Sequence, residues 1–333
     1  MKILILRFSS IGDIVLTTPV VRCLRKRYPD AKIHYCTKKK FAAILEPNPH
    51  IDKIITLDER LRDVVSQLRR EKYDYVIDLH NNLRTMLIKC MLLKPSYTFR
   101  KLNLQKWLLV NFKINLLPNI HVVDRYMETV KKLGVENDGM GLDYFVPSED
   151  IVDVQNLPEP YRNGYAAMAI GAQHLTKKLP VHRIIDVCKL SPFPVILLGG
   201  KEDFAQGEEV AAQFKNSDKN VLNACGAYSL HQSASLVQQS KLVFTNDTGL
   251  MHIAAAFKKE IYSFWGNTVP AFGMYPYKTH FHIIENKNLS CRPCSKIGYK
   301  RCPKKHFKCM NELDVTAALS RLTPYESLGK DSV

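Results

Sequence analysis

The sequence predicts an α/β protein built of two doubly wound domains that face each other across a cleft. Three observations carry that expectation. Short runs of β-branched and aromatic residues alternate with helical periods through both halves, the pattern of a parallel sheet covered on both faces. The alternation breaks once, over 147–164, where three prolines and several acids show no period. A chain of 333 residues also exceeds one ordinary core and suits two domains of usual size.

In chain order, the first strand is expected at 3–8, running into Ser9-Ser10-Ile11-Gly12-Asp13 and a helix to about residue 27. Strands are expected next at 33–36, 53–57 and 75–79, with helices at 41–45 and 61–70. A helix at 122–133 and a strand at 142–146 finish the first half. The second series places strands at 165–170, 194–198, 221–223, 242–245 and 261–265, each but the last leading into a helix. The domains are therefore expected at 1–155 and 156–325, the second including a Cys-rich segment at 291–309. Ligands of such sheets bind at the carboxyl ends of the strands. That rule singles out the stretch from Ser9 through Asp13 and also His80-Asn81-Asn82-Leu83-Arg84.

The stretch LVFTNDTGLMH at 242–252 joins a buried strand to a helix over 249–256. Asp247 is expected to cap that helix and Thr248 adds a hydroxyl. Gly249 lets a ligand approach N–H groups that no intrahelical carbonyl satisfies, so the turn reads as a phosphate seat. His252 follows on the same face. The same letters also describe an ordinary capped βα junction with a core-facing histidine; the neighbouring motifs favour the seat.

With 46% hydrophobic and 24% charged residues, and no apolar run of bilayer length, the composition is that of a globular chain. MKILILRF lacks a secretory pattern, so a cytoplasmic protein with reduced cysteines is expected. The net charge of +16 favours anionic partners. No acid occurs between Asp78 and Asp124, where Arg84, Lys89, Lys94, Arg100, Lys101, Lys106 and Lys113 interleave with Met86, Leu87, Leu92, Leu93, Trp107, Leu108 and Leu109. That alternation suits a surface facing anionic lipid, or a buried helix with solvated lysines. No nucleic-acid module is present in the sequence. Cys291, Cys294, Cys302 and Cys309, with His306 among them, form C-x2-C-x7-C-x6-C. Four thiols, or three and the histidine, would suit a structural zinc; free buried thiols are the alternative.

Ile170-Gly171-Ala172 leads to Lys177-Lys178-Leu179-Pro180, Leu198-Gly199-Gly200 leads to Lys201-Glu202-Asp203, and TNDTGLMHIAAA leads to FWGNTVP. Together with SSIGD near the start, these motifs resemble the bacterial heptosyltransferases, which add heptose from ADP-heptose to the lipopolysaccharide inner core. The resemblance covers about residues 1 to 325. It implies a GT-B fold of two Rossmann-like domains, with the donor nucleotide mainly on the second and the acceptor on the first. It also implies an inverting, metal-independent transfer with no catalytic cofactor.

By the same resemblance Asp13 is the general base, and Lys177 neutralises the departing phosphate charge. Asp247, Thr248, Gly249, Leu250 and His252 hold the donor diphosphate region, Glu202 meets the ribose and Tyr228 lines the adenine pocket. Ser9, Ser10, Gly12, His80, Asn81 and Arg84 fall on the acceptor side. Leu179 departs from the aromatic residue frequent in the family, and region 84–120 has no residue-by-residue match.

Inverting transfer needs a base within reach of the acceptor hydroxyl, which a carboxylate supplies. Without a metal, a helix N-terminus, a hydroxyl and cationic side chains must hold the leaving group in a dry cleft. Lys178 reads as a solvated neighbour of Lys177. The expected partners are an ADP-sugar, an anionic glycolipid acceptor and the inner-membrane surface, with no nucleic acid, which places the protein in the cytoplasm, peripheral to that membrane. The competing classes are a non-catalytic nucleotide-sugar-binding protein and a GT-B sugar-nucleotide epimerase or hydrolase.

Overall fold

A computed structural model describes residues 1–57, 61–320 and 322. In the first half, β1 (Lys2–Leu6), β2 (Lys32–Lys38), β3 (Lys53–Leu57), β4 (Tyr75–Asp78) and β5 (Ser96–Thr98) form a parallel sheet in the order β3-β2-β1-β4-β5. In the second half, β6 (Ala166–Ala169), β7 (Val195–Leu198), β8 (Val221–Asn223), β9 (Leu242–Asn246), β10 (Ile261–Trp265) and β11 (Phe281–Glu285) pair in the order β11-β10-β9-β6-β7-β8. Ile3, Leu4, Ile5 and Leu6 are all fully buried, as expected of a strand with helices on both faces. The strand order reverses between β1 and β4 and again between β6 and β9. Each reversal opens a crevice at the carboxyl ends.

The two sheets share one apolar core, which runs from Ile3 and Tyr35 through Leu142, Tyr144, Leu157 and Tyr161 to Ala167, Val243 and Trp265. This explains a misreading of the sequence. Residues 142–146 form no strand. Their alternating apolar side chains are buried against the other half instead, and the Tyr144 hydroxyl meets His231 Nδ1 at 3.0 Å. Other expectations also shift. The helix expected after residue 13 is two helices, Ile11–Val15 and Thr18–Arg27, because Pro19 sits at the start of the second and cannot continue the first. The helix expected at 122–133 ends as Val122–Met127 and resumes only as a 3-10 turn at Lys131–Leu133, and the one expected at 41–45 is a 3-10 turn, Lys39–Ile44.

Helices Leu83–Leu92 and Asn103–Phe112 and strands β5 and β11 went unplaced from sequence, the strands because they are short or half-exposed at sheet edges. Among the described residues, no helix is long and apolar enough to cross a membrane.

Candidate active site

The first wall of the cleft grows from the end of β1. Ser10 caps helix Ile11–Val15. The Asp13 carboxylate reaches back to accept from the Ser10 N–H at 3.0 Å and the Ser10 hydroxyl at 2.9 Å. The same carboxylate pairs with Arg7 Nη2 at 2.6 Å. Arg7 is only 7% exposed and is fixed by the Ser9 carbonyl (2.8 Å), the Leu79 carbonyl (2.6 Å) and the Tyr126 hydroxyl (2.9 Å). Burial alone would raise the Asp13 pKa. Arg7, the two Ser10 hydrogen bonds and His252 outweigh it, and the carboxyl is held below its ordinary value. Asp13 is therefore ionised at neutral pH.

The second wall is the turn after β9. Here Thr248, not Asp247, is the cap: its backbone is extended and its Oγ1 accepts from the Leu250 N–H at 3.2 Å. Asp247 is engaged elsewhere. Its carboxylate pairs with Lys177 Nζ at 2.6 Å and accepts from the Thr268 hydroxyl at 2.8 Å, so the ion pair takes precedence over the cap. Buried Asn246 ties the lysine loop to the sheet. Its Nδ2 donates to the carbonyls of Ala169 (3.3 Å) and Ile170 (3.1 Å), while its Oδ1 accepts from the Leu179 N–H (3.1 Å).

The walls meet where helix Ile11–Val15 crosses helix Gly249–Ala256. A Cβ added at Gly12 would lie 2.5 Å from His252 Cδ2 and 3.4 Å from the Gly249 Cα, so a larger residue there would push the two helices apart. His252 is 2% exposed and its Nδ1 has no hydrogen-bond partner. Burial draws its pKa down to about 4 despite Asp247 and Asp13, with Lys177 adding to the fall. Asp13, Lys177, Asp247 and His252 thus share one electrostatic neighbourhood.

The neutral ring of His252 has a pH consequence. Between its ordinary value of 6.5 and about 4, the unfolded chain binds a proton that the folded chain refuses, so stability falls as pH drops through that window. The denaturant midpoint is expected to be lower at pH 5 than at pH 7. In His252→Gln that slope should be shallower, and an unchanged slope would remove the claim.

The remaining sequence candidates scatter. Glu202 is exposed, and its carboxylate folds over Gly200. Tyr228 is half-buried against the shared core. The N–H groups of His80 (3.0 Å) and Asn81 (2.7 Å) donate to Asp78 Oδ1. Burial and then Arg7 lower the His80 pKa to about 4. Arg84 lies exposed in the first turn of its helix. Lys178 is not the solvated lysine expected: it forms an ion pair with buried Asp203.

Sequence reasoning also missed how the Cys-rich segment holds the site. Buried Arg292 donates to the carbonyls of Trp265 (3.1 Å) and Thr268 (3.0 Å), and the Tyr299 N–H donates to Thr176 Oγ1 at 2.8 Å. One segment therefore clasps both the Thr268 loop and the Lys177 loop. Among the described residues, no group of three or more His, Cys, Asp or Glu side chains is arranged to hold a metal ion. Cys291 Sγ stands 3.9 Å from His306 Nε2, and burial raises the Cys309 thiol to about 12.

Two doubly wound sheets meeting at a crevice, with a capped helix N-terminus on one wall and a carboxylate on the other, are the architecture of the GT-B fold. The chain belongs to glycosyltransferase family 9, the heptosyltransferases, whose family pattern it matches over residues 61–305. It is 25% identical to lipopolysaccharide heptosyltransferase 1 of Campylobacter coli, over 85% of this chain and 89% of that protein. Among solved structures, it resembles a family 9 glycosyltransferase from Veillonella parvula with a TM-score of 0.70, at 25% identity and 86% coverage of each chain. It also resembles E. coli ADP-heptose lps heptosyltransferase II with a TM-score of 0.68, at 22% identity over 96% of this chain and 99% of that one.

Proposed function

We propose that the protein transfers a heptose, or a related sugar, from an ADP-sugar to an inner-core acceptor of lipopolysaccharide, with inversion and without a catalytic metal. The convergence of Asp13, Lys177, Asp247 and His252 where the two walls cross carries this reading. Asp13 takes the acceptor proton. The donor diphosphate sits on the N-terminus of helix Gly249–Ala256, with the Thr248 hydroxyl and Lys177 countering its charge as the sugar departs. Glu202 and Tyr228 meet the nucleoside, and Ser9, Ser10, Gly12, His80, Asn81 and Arg84 line the acceptor side. The ADP-heptose of the E. coli relative's name supports the choice of donor. The test is incubation with ADP-heptose and a truncated lipopolysaccharide. Transfer is the expected result. Binding without transfer, or sugar release or isomerisation without acceptor, defeats it.

We also propose that the protein works at the cytoplasmic face of the inner membrane, docking through helices Leu83–Leu92 and Asn103–Phe112. Leu83, Met86, Leu93, Leu104, Trp107 and Phe112 are exposed there beside the exposed cations Arg84, Lys94 and Arg100. The other basic residues of the stretch are engaged within the protein. Lys89 pairs with Asp78 at 2.8 Å, Lys113 donates to the Pro293 carbonyl at 2.7 Å, and Lys101 and Lys106 lie within the field of Asp13. Arg84→Glu, Lys94→Glu and Arg100→Glu together are expected to weaken binding to phosphatidylglycerol vesicles, each cation being worth about 1 kcal/mol. ADP affinity should hold. Unaltered vesicle binding would refute the docking face.

For the cysteines, the spacing supports a structural zinc on Cys291, Cys294, Cys302 and Cys309, which would have to draw the thiols together as it binds. Elemental analysis of protein purified without chelator should then find about one zinc per chain, lost together with stability in Cys291→Ser. Metal-free protein of full stability refutes it.

A further inference from the structure

Arg125 projects from helix Val122–Met127 and is 8% exposed. Its Nη2 donates to the Phe272 carbonyl at 3.1 Å and its guanidinium lies 5.5 Å from the centre of the Phe99 ring. Its Nε and Nη1 are buried with no hydrogen-bond partner. Lys106, from helix Asn103–Phe112, stands 5.8 Å from the centre of the Phe272 ring. Burial lowers its pKa to about 8, with Arg125 the next contributor, and it also feels Lys101, Lys296 and Asp13. Arg125 and Lys106 therefore meet at Phe272, the one at its carbonyl and the other at its ring. The acids acting on Lys101 and Lys106 are Asp13 and Asp78, and both are already paired, with Arg7 and Lys89.

Burying a guanidinium with unspent N–H donors is costly unless an anion receives them. Nothing on the donor side calls for this surplus, since Lys177, Thr248 and the helix N-terminus serve the diphosphate there. We propose that Arg125 and Lys106 form an anion pocket on the acceptor side of the cleft, taking a carboxylate or phosphate group carried by the acceptor. The pocket rests on the transferase reading above and adds the residues that select the acceptor. Phe99 and Phe272 form its apolar walls, which strengthen the charge interaction by excluding water.

The experiment compares acceptor KM, donor KM and ADP affinity for the full chain and for Arg125→Met, Arg125→Lys and Lys106→Met. Two acceptors are used: one with its acidic group free and one with that group converted to a neutral ester. Arg125→Met is expected to raise the KM of the free acid at least tenfold, while donor KM and ADP affinity stay within twofold. Arg125→Lys should recover part of the loss, and the ester should be a poor acceptor of the unsubstituted protein and insensitive to either methionine variant. Inorganic phosphate, added at saturating ADP-heptose, should compete with the free acid, and less so in Lys106→Met.

Equal KM for acid and ester in the unsubstituted protein would overturn the pocket, as would a variant effect falling on donor KM. Phosphate that competes only with ADP-heptose assigns the anion to the donor and overturns it as well. If Arg125→Met fails to fold, Lys106→Met carries the same acid-against-ester comparison. Absence of transfer by the unsubstituted protein with every acceptor would instead defeat the transferase reading. Calorimetric phosphate binding to the ADP complex, and its loss in Lys106→Met, still tests the pocket in that case.

Discussion

Asp13→Asn is expected to lower turnover by roughly a hundredfold or more while leaving ADP affinity near its original value, as for loss of general-base catalysis. The substitution isolates the charge. An asparagine keeps the size and the acceptor for the Ser10 N–H, so the cap of helix Ile11–Val15 survives. Arg7 loses its carboxylate partner but retains Ser9, Leu79 and Tyr126, so the fold should tolerate the change. Because Arg7 and Ser10 hold the Asp13 pKa below its ordinary value, the carboxylate is a weak base. In the proposed base role it would take the proton only as the acceptor oxygen bonds to the sugar and its hydroxyl acidifies. Steady-state rates beside calorimetry of ADP decide the matter. Near-normal turnover would leave Asp13 a helix cap and counter-ion.

Lys177→Ala is expected to reduce turnover by about a hundredfold, the scale of losing one preorganised group that meets developing charge. ADP affinity should fall much less. Lys177 is held by Asp247 at 2.6 Å, and in the proposed reaction a departing diphosphate would compete for the same ammonium. In that role the lysine would gain most when the leaving group carries its full charge, which is what separates a rate effect from a binding effect. Equal losses in ADP affinity and turnover would make Lys177 a simple donor anchor. Lys177→Arg restoring part of the rate would support the charge assignment.

Much of this arrangement was legible because it is local. The β9 strand reads as a continuous apolar run, the turn carries polar letters, and the helix starts at once, so the strand and the helix start at Gly249 were legible, the strand running one residue further than read, to Asn246. What failed was decided by distant partners. Asp247 and Thr248 are both good caps by type, and the choice fell to a lysine arriving from 70 residues away. Lys177 and Lys178 look alike in sequence, yet one faces the cleft and the other is bound to Asp203. Arg7 shows only as a charge closing an apolar strand; its meaning comes from Leu79 and Tyr126, 72 and 119 residues on. The apolar alternation at 142–146 imitates a strand because burial between two halves selects the same letters as burial in a sheet.

The clasp between Tyr299 and Thr176 spans 123 residues, and Arg292 reaches back 24 residues to Thr268. On the ribosome, the lysine loop and the Asp247 turn emerge long before the segment that fixes them. Domains begin folding as they leave the tunnel, N-terminal parts first. Strands β6 to β10 of the second sheet are thus free to pair early, while the Lys177 and Thr268 loops wait for the segment that carries Arg292 and Tyr299. A nascent or truncated protein ending before Arg292 would possess both walls of the cleft and lack the ties that fix the Lys177 and Thr268 loops of the second wall to a common segment.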